Sequence, residues 1–151
     1  NKKYLTLLFI LLIAASALSA YISIVHTPFF QEYTDDEYQL LEILNTTNGS
    51  FIMAGDIATT SYSKAYYSYA PIAFNISTPQ GWYPQAASLE HLGKIDSFQE
   101  SFKNGDCGKI KESIDSLNIE KVIARGDGCN TLEKCELELA YQTRSFCLYS
   151  T

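Results

Sequence analysis

One short stretch, "PQGWYPQ", holds the only tryptophan of the chain, Trp82, with Gly81 and Tyr83 on either side and Gln85 two residues after the second aromatic ring. Flat aromatic faces with polar edges, a glycine that lets the backbone turn and a side-chain amide together suit stacking on sugar rings or lodging in a lipid headgroup layer. The competing reading makes Trp82 a lid that packs over the end of a sheet, because one large ring contributes much of the buried area in a small core. Asp56 follows the apolar run "FIMAG". At the carboxyl end of a strand it stands where open α/β sheets collect ligands, or else it caps the following turn. His91, after Glu90, is either a general acid or base or a surface histidine early in a helix. The candidate glycan-binding set is therefore Asp56, Gly81, Trp82, Tyr83, Gln85 and His91.

Other chemistries find no residues. The sequence carries no Ser/His/Asp order, no glycine-rich phosphate loop and no HExxH pattern, so no catalytic residue and no cofactor is assigned. Asp35 and Asp36 read as the acidic first turn of a helix and not as metal ligands. "RGDG", Arg125 to Gly128, reads as a turn with two glycines. A net charge of −6 and a pI near 4.8 exclude the basic surface that nucleic acids require.

Four cysteines, Cys107, Cys129, Cys135 and Cys147, lie in the last third without zinc-type spacing, which predicts disulfides and no metal. Three N-x-S/T triplets, at Asn45, Asn48 and Asn75, are candidate glycosylation sites and point to the same exterior compartment.

The elements that must position these groups begin with a membrane span. Tyr4 to Val25 carries no charged side chain and follows Lys2 and Lys3. About 20 such residues cross a bilayer, and the lysines place the N-terminus in the cytoplasm. A cleavable signal peptide is the alternative, given the small residues around Ala17, Ser19 and Ala20. Residues 1–27 are read as the transmembrane helix with a short basic start, and 28–151 as an exterior, disulfide-containing α/β domain at the cell membrane.

Within that domain, "TDDE" is a capping box for a helix over Asp35–Asn45, and "FIMAG" is a buried strand. Tyr62, Tyr66 and Tyr69 form a helical stripe, and "PIAFNIS" is read as a second strand. Helical spacing returns at Leu92, Ile95, Phe98 and Phe102, then at Ile110, Ile114 and Leu117, before the strand "IEKVIA". The tail reads as a hairpin turning at Thr143-Arg144, with Tyr141 opposite Phe146 and Leu139 opposite Leu148. This layout favours Cys107–Cys129 with Cys135–Cys147, and Cys129–Cys135 is the chief rival.

The succession "TDDEYQLLEILN", "GSFIMAGD", "STPQGWYPQAAS", "SLNIEKVIA" and "LELAYQTRSFCLYS" resembles the C-terminal exterior domain of GT-C-type membrane glycosyltransferases and their 6-pyruvoyl-tetrahydropterin-synthase-related relatives. The resemblance covers Tyr4 to the end and rests on loose apolar and turn patterns. It implies a fragment of a polytopic enzyme that uses a lipid-linked sugar and shapes the acceptor or lipid-sugar site, its catalytic carboxylates lying in earlier loops. A start at Asn1 in place of methionine suits such an excised piece. No acidic catalytic motif has a counterpart here, so none is carried over. The expected partners are the lipid bilayer, a lipid-linked sugar and an acceptor glycan or protein. The alternative function is a non-enzymatic single-pass exterior protein, a binding module or a filament subunit that self-associates through its apolar N-terminal helix.

Overall fold

The computed structural model describes residues 2–26, 34–58, 61–80 and 87–151, leaving aside some side chains within α1 and α3. Contacts divide the chain into two compact units, Asn1–Thr34 and Asp35–Thr151.

The first unit contains one helix, α1 (Lys2–His26), 25 residues long. At roughly 1.5 Å per residue it extends about 37 Å. Phe9, Ile10, Leu11, Leu12 and Ile13 are each at least 54% exposed. Five consecutive residues at about 100° steps go once around a helix, so α1 presents an apolar surface on every side. Among the described residues, no helix is long and apolar enough to cross a membrane. The helix expected over Tyr4 to Val25 is therefore present, but as a helix and not as a found membrane span.

The second unit is a three-layer α/β domain. Its helices are α2 (Asp35–Thr46), α3 (Ser61–Phe74), α4 (Leu89–Asn104), α5 (Cys107–Leu117) and α6 (Asp127–Lys134). Its strands are β1 (Phe51–Met53), β2 (Lys121–Arg125), β3 (Glu138–Gln142) and β4 (Phe146–Ser150), in the order β1-β2-β4-β3. β1 and β2 are parallel, while β4 runs antiparallel to both of its neighbours.

Alternation along the strands divides the core. Phe51, Met53, Ile123, Phe146 and Leu148 meet Leu40, Ile43 and Leu44 of α2 and Tyr66 and Ala70 of α3. Ile52, Val122, Ala124, Cys147 and Tyr149 face Phe98 and Phe102 of α4, Ile110 and Ile114 of α5, and Leu132 of α6. Because helices cover both faces, β1, β2 and β4 are continuous apolar runs; β3, at the sheet edge, is mostly exposed. α2 is tied to that edge by Tyr141, whose hydroxyl donates to Glu42. This hydrogen bond, followed by desolvation and the Glu42 charge, raises the Tyr141 phenol above its ordinary value of 10.0.

Several expectations are corrected. "PIAFNIS" is not a strand. Pro71 falls in the last turns of α3, which ends at Phe74; Asn75 then takes a left-handed conformation (φ 54°), and only Ser77 pairs with a strand-like segment, through a bridge to Ser50. The closing hairpin forms, but Tyr141 faces Leu148 and Leu139 faces Tyr149. An irregularity between Leu139 and Tyr141 shifts the register, which residue types alone do not fix.

The disulfides are Cys107–Cys135 and Cys129–Cys147, neither the favoured pairing nor its rival. The cause is α6, a helix the sequence reading did not anticipate. Cys129 and Cys135 lie six positions apart along that turn-and-helix segment, about 240° around the axis, so they address different partners. Cys129 is bonded to Cys147 of β4, and Cys135 to Cys107 at the start of α5. The tyrosine stripe is also divided: Tyr66 is buried, Tyr69 is 52% exposed, and the side chain of Tyr62 lies outside the described residues.

Candidate functional site

β1 and β2 lie side by side and parallel, yet the chain leaves their carboxyl ends toward opposite faces of the sheet. After β1 it forms a 3₁₀ turn, Gly55–Ala58, whose Ile57 joins the α2/α3 core; after β2 it enters α6, whose Leu132 joins the other core. Such divergence opens a crevice between the two exits, where ligands of open α/β sheets bind.

A crevice of about 360 Å³ lies there, lined by Ala54, Gly55, Asp56, Phe102, Arg125, Gly126, Asp127 and Gly128. Its floor is apolar and close-fitting. A Cβ on Gly55 would stand 3.0 Å from Phe102 Cε1, and one on Gly128 would stand 3.1 Å from Phe102 Cζ and 3.2 Å from the Ala124 Cβ. The two glycines therefore keep the crevice open above the Phe102 ring. A second depression of about 370 Å³, bounded by Lys111, Asp115 and Glu136, lies at the opposite end of the sheet. It is lined by the carboxyl end of the single strand β4, at Ser150 and Thr151, and by no helix start, whereas the first crevice lies between two adjacent parallel strand exits and the start of α6, so the first is the better site despite its slightly smaller volume.

Arg125 organises the polar rim. Its guanidinium pairs with Asp36 at the start of α2, lies 4.0 Å from the Asp56 carboxylate and sits 5.7 Å above the Phe146 ring. Asp56 Oδ1 accepts from the Ile57 amide at 2.9 Å. Gly126 (φ 52°) brings the chain into α6, whose first turn has no side-chain cap and whose opening residues Gly126, Asp127 and Gly128 line the crevice. One guanidinium pairs with Asp36 and lies near Asp56, and Asp127 also lines the crevice, so three carboxylates against one cation make the rim net negative. Anions are repelled there, whereas sugar hydroxyls can both donate to carboxylates and accept from amides and guanidinium. Among the described residues, no group of three or more acidic, histidine or cysteine side chains could hold a metal ion.

The loop with Trp82 starts beside this crevice. Gln80 is 6% exposed; its amide accepts from Met53 N at 2.7 Å and donates to Met53 O at 3.0 Å. From the other side, Gln99 donates to Met53 O at 2.7 Å and accepts from Gly55 N at 3.0 Å. Two side-chain amides thus complete the hydrogen bonding at the end of β1 as neighbouring strands would. On the far side of the loop, His91 Nε2 lies 2.9 Å from Pro79 O; the carbonyl only accepts, so Nε2 donates. The two flanks are joined at that point.

The sequence-predicted residues are thus only partly assembled. Asp56 lines the crevice, and His91 closes the neck of the loop. Gly81, Trp82, Tyr83 and Gln85 lie outside the described residues. Gln80, Gln99, Phe102, Arg125, Asp127 and Gly128 were missed; the glycine pair in "RGDG" was the available signal, read as a simple turn. Comparison with known protein families, curated proteins and solved structures returns no match.

Proposed function

We propose that the chain is the membrane-tethered exterior domain of a glycosyltransferase-like protein and that its crevice holds the neutral sugar part of a lipid-linked or acceptor glycan. The observation that carries this reading is the crevice between the diverging exits of β1 and β2, with Asp56, Arg125 and the start of α6 on its rim and the root of the Gly-Trp-Tyr loop fixed alongside. Support for the tether comes from the charge-free run Tyr4 to Val25 within the 25-residue helix α1. Support for an exterior location comes from the two disulfides, which persist in oxidising compartments. The domain positions sugar, and the bond-making groups belong to other parts of the protein.

Trp82, the sole tryptophan, provides the test. The full chain in lipid nanodiscs is titrated with a neutral oligosaccharide and separately with inorganic phosphate while Trp82 fluorescence is followed. A saturable response to the sugar and none to phosphate is expected. Asp56→Asn should weaken sugar binding about tenfold, the equivalent of roughly 1.4 kcal/mol, with unchanged thermal unfolding. A response to phosphate alone would overturn the proposal.

A further inference from the structure

The three N-x-S/T triplets converge on one end of the domain, opposite the crevice. Asn45 lies in the last turn of α2 and Asn48 just after it, while Asn75 follows α3. The bridge between Ser50 and Ser77 brings these segments together, with Phe51 N donating to Ser77 O at 2.8 Å and Ser77 N to Gly49 O at 3.0 Å. All three asparagines are exposed.

The hydroxyls two residues downstream differ. Thr47, which serves Asn45, is 6% exposed and donates to Ile43 O at 2.8 Å. Ser50, which serves Asn48, donates to Asn118 O at 2.6 Å and accepts from Glu120 N at 3.0 Å. Both hydroxyls are therefore used within the fold, closing a helix end and tying β1 to the approach to β2. Ser77 is exposed, and its hydroxyl has no partner among the described residues. Buried Ile76 is turned inward between Asn75 and Ser77, leaving both flanking polar side chains on the outside. A left-handed residue at the end of α3 accounts for an asparagine at position 75, but nothing in the packing accounts for a free serine at 77.

We infer that the folded domain has one N-glycan acceptor, Asn75, at the end of the sheet remote from the crevice. The inference rests on the exterior location proposed above. In the reaction, Asn75 Nδ2 bonds to the anomeric carbon of a lipid-diphosphate-linked oligosaccharide. The bond from that carbon to the phosphate oxygen breaks, the lipid diphosphate leaves with the electron pair, and Nδ2 gives up one proton. No electron donor or acceptor is needed.

The test exposes the oxidised full chain, in detergent micelles, to a purified oligosaccharyltransferase and its lipid-diphosphate-linked oligosaccharide; an acceptor peptide confirms that the enzyme is active. Intact mass should rise by one oligosaccharide, and peptide mapping should place it on Asn75. Ser77→Ala should abolish the increment while leaving Asn75 in its left-handed conformation, whereas Asn45→Gln and Asn48→Gln should leave it unchanged. Modification of the native chain at Asn45 or Asn48, or none at Asn75 while the reduced and denatured chain is modified, overturns the inference. Free thiols in the protein recovered from its membrane would instead remove the exterior location, and cysteines found oxidised beside an unmodified Asn75 would remove only the glycan site.

Discussion

Gln80 shows how much one side chain can fix. β1 is a sheet edge, and a bare edge leaves amides and carbonyls unpaired. The Gln80 amide supplies both an acceptor and a donor to Met53 and thereby holds the entry to the Gly-Trp-Tyr loop at the carboxyl end of the strand. Met53 O has a second donor in Gln99, but no other bond is recorded for Met53 N among the described residues. Gln80→Leu should therefore strand one buried amide and lower stability by about 1–3 kcal/mol. Gln80→Glu should cost more, since a carboxylate cannot donate to Met53 O and its charge would be buried. Denaturant unfolding of the full chain checks both, and equal stabilities for wild type and Gln80→Leu would show that the pairing contributes nothing.

α6 decides more than its eight residues suggest. It begins at the crevice and sends Leu132 into the second core, and each of its ends is fastened covalently, Cys129 to Cys147 and Cys135 to Cys107. Non-reducing peptide mapping should recover those two pairs and no others; linked peptides carrying Cys107 with Cys129 would refute the arrangement. The loops closed span 18 and 28 residues. Restriction of the unfolded chain should make the loss of either bridge cost about 3 kcal/mol. Replacing Cys129 and Cys147 together by alanine isolates one bridge, and if the crevice holds sugar as proposed, the accompanying loosening of Gly126–Gly128 should weaken that binding. A midpoint of unfolding unchanged by that double replacement would show the bridge to be thermodynamically idle.

The molecule joins an apolar helix to an acidic domain with a polarity of its own. In the second unit the crevice, the first turn of α2 with Asp36 and the β3–β4 turn, where Gly126 N donates to Ser145 O, share one end. The sequons share the other. Chain entry through α2 therefore occurs at the crevice end. If α1 spans a bilayer, the full chain should stay with membranes through an alkaline carbonate wash, and deletion of residues 2–26 should release it. Leu12→Arg should impede insertion by about 2.5–3.5 kcal/mol near the helix centre. Release of the unmodified chain by carbonate as a discrete oligomer would instead assign α1 to a bundle of copies.

Local patterns made much of this legible. Apolar spacing located α2 to within a residue and marked α4 and α5 by their apolar stripes, and short apolar runs bounded by turn residues located β1 and β2, because periodicity and punctuation are local properties of the chain. The tail alternation likewise revealed a hairpin, and the cysteine count predicted disulfides. What failed depended on contacts distant in sequence. Pro71 made "PIAFNIS" look extended, because a proline there removes an amide from the helix and its ring crowds the carbonyl four residues back; α3 nevertheless runs through it to Phe74, with Tyr66 and Ala70 packed in the core. The hairpin register depended on an irregularity beside Leu139, and the cysteine partners on where α6 turns its two ends. Asp56 could be nominated from its place after a strand. Arg125, Gly128 and Phe102 became its neighbours only when β1 and β2 lay parallel and their exits diverged, since residues tens of positions apart are brought together by packing and leave no spacing for a sequence to display.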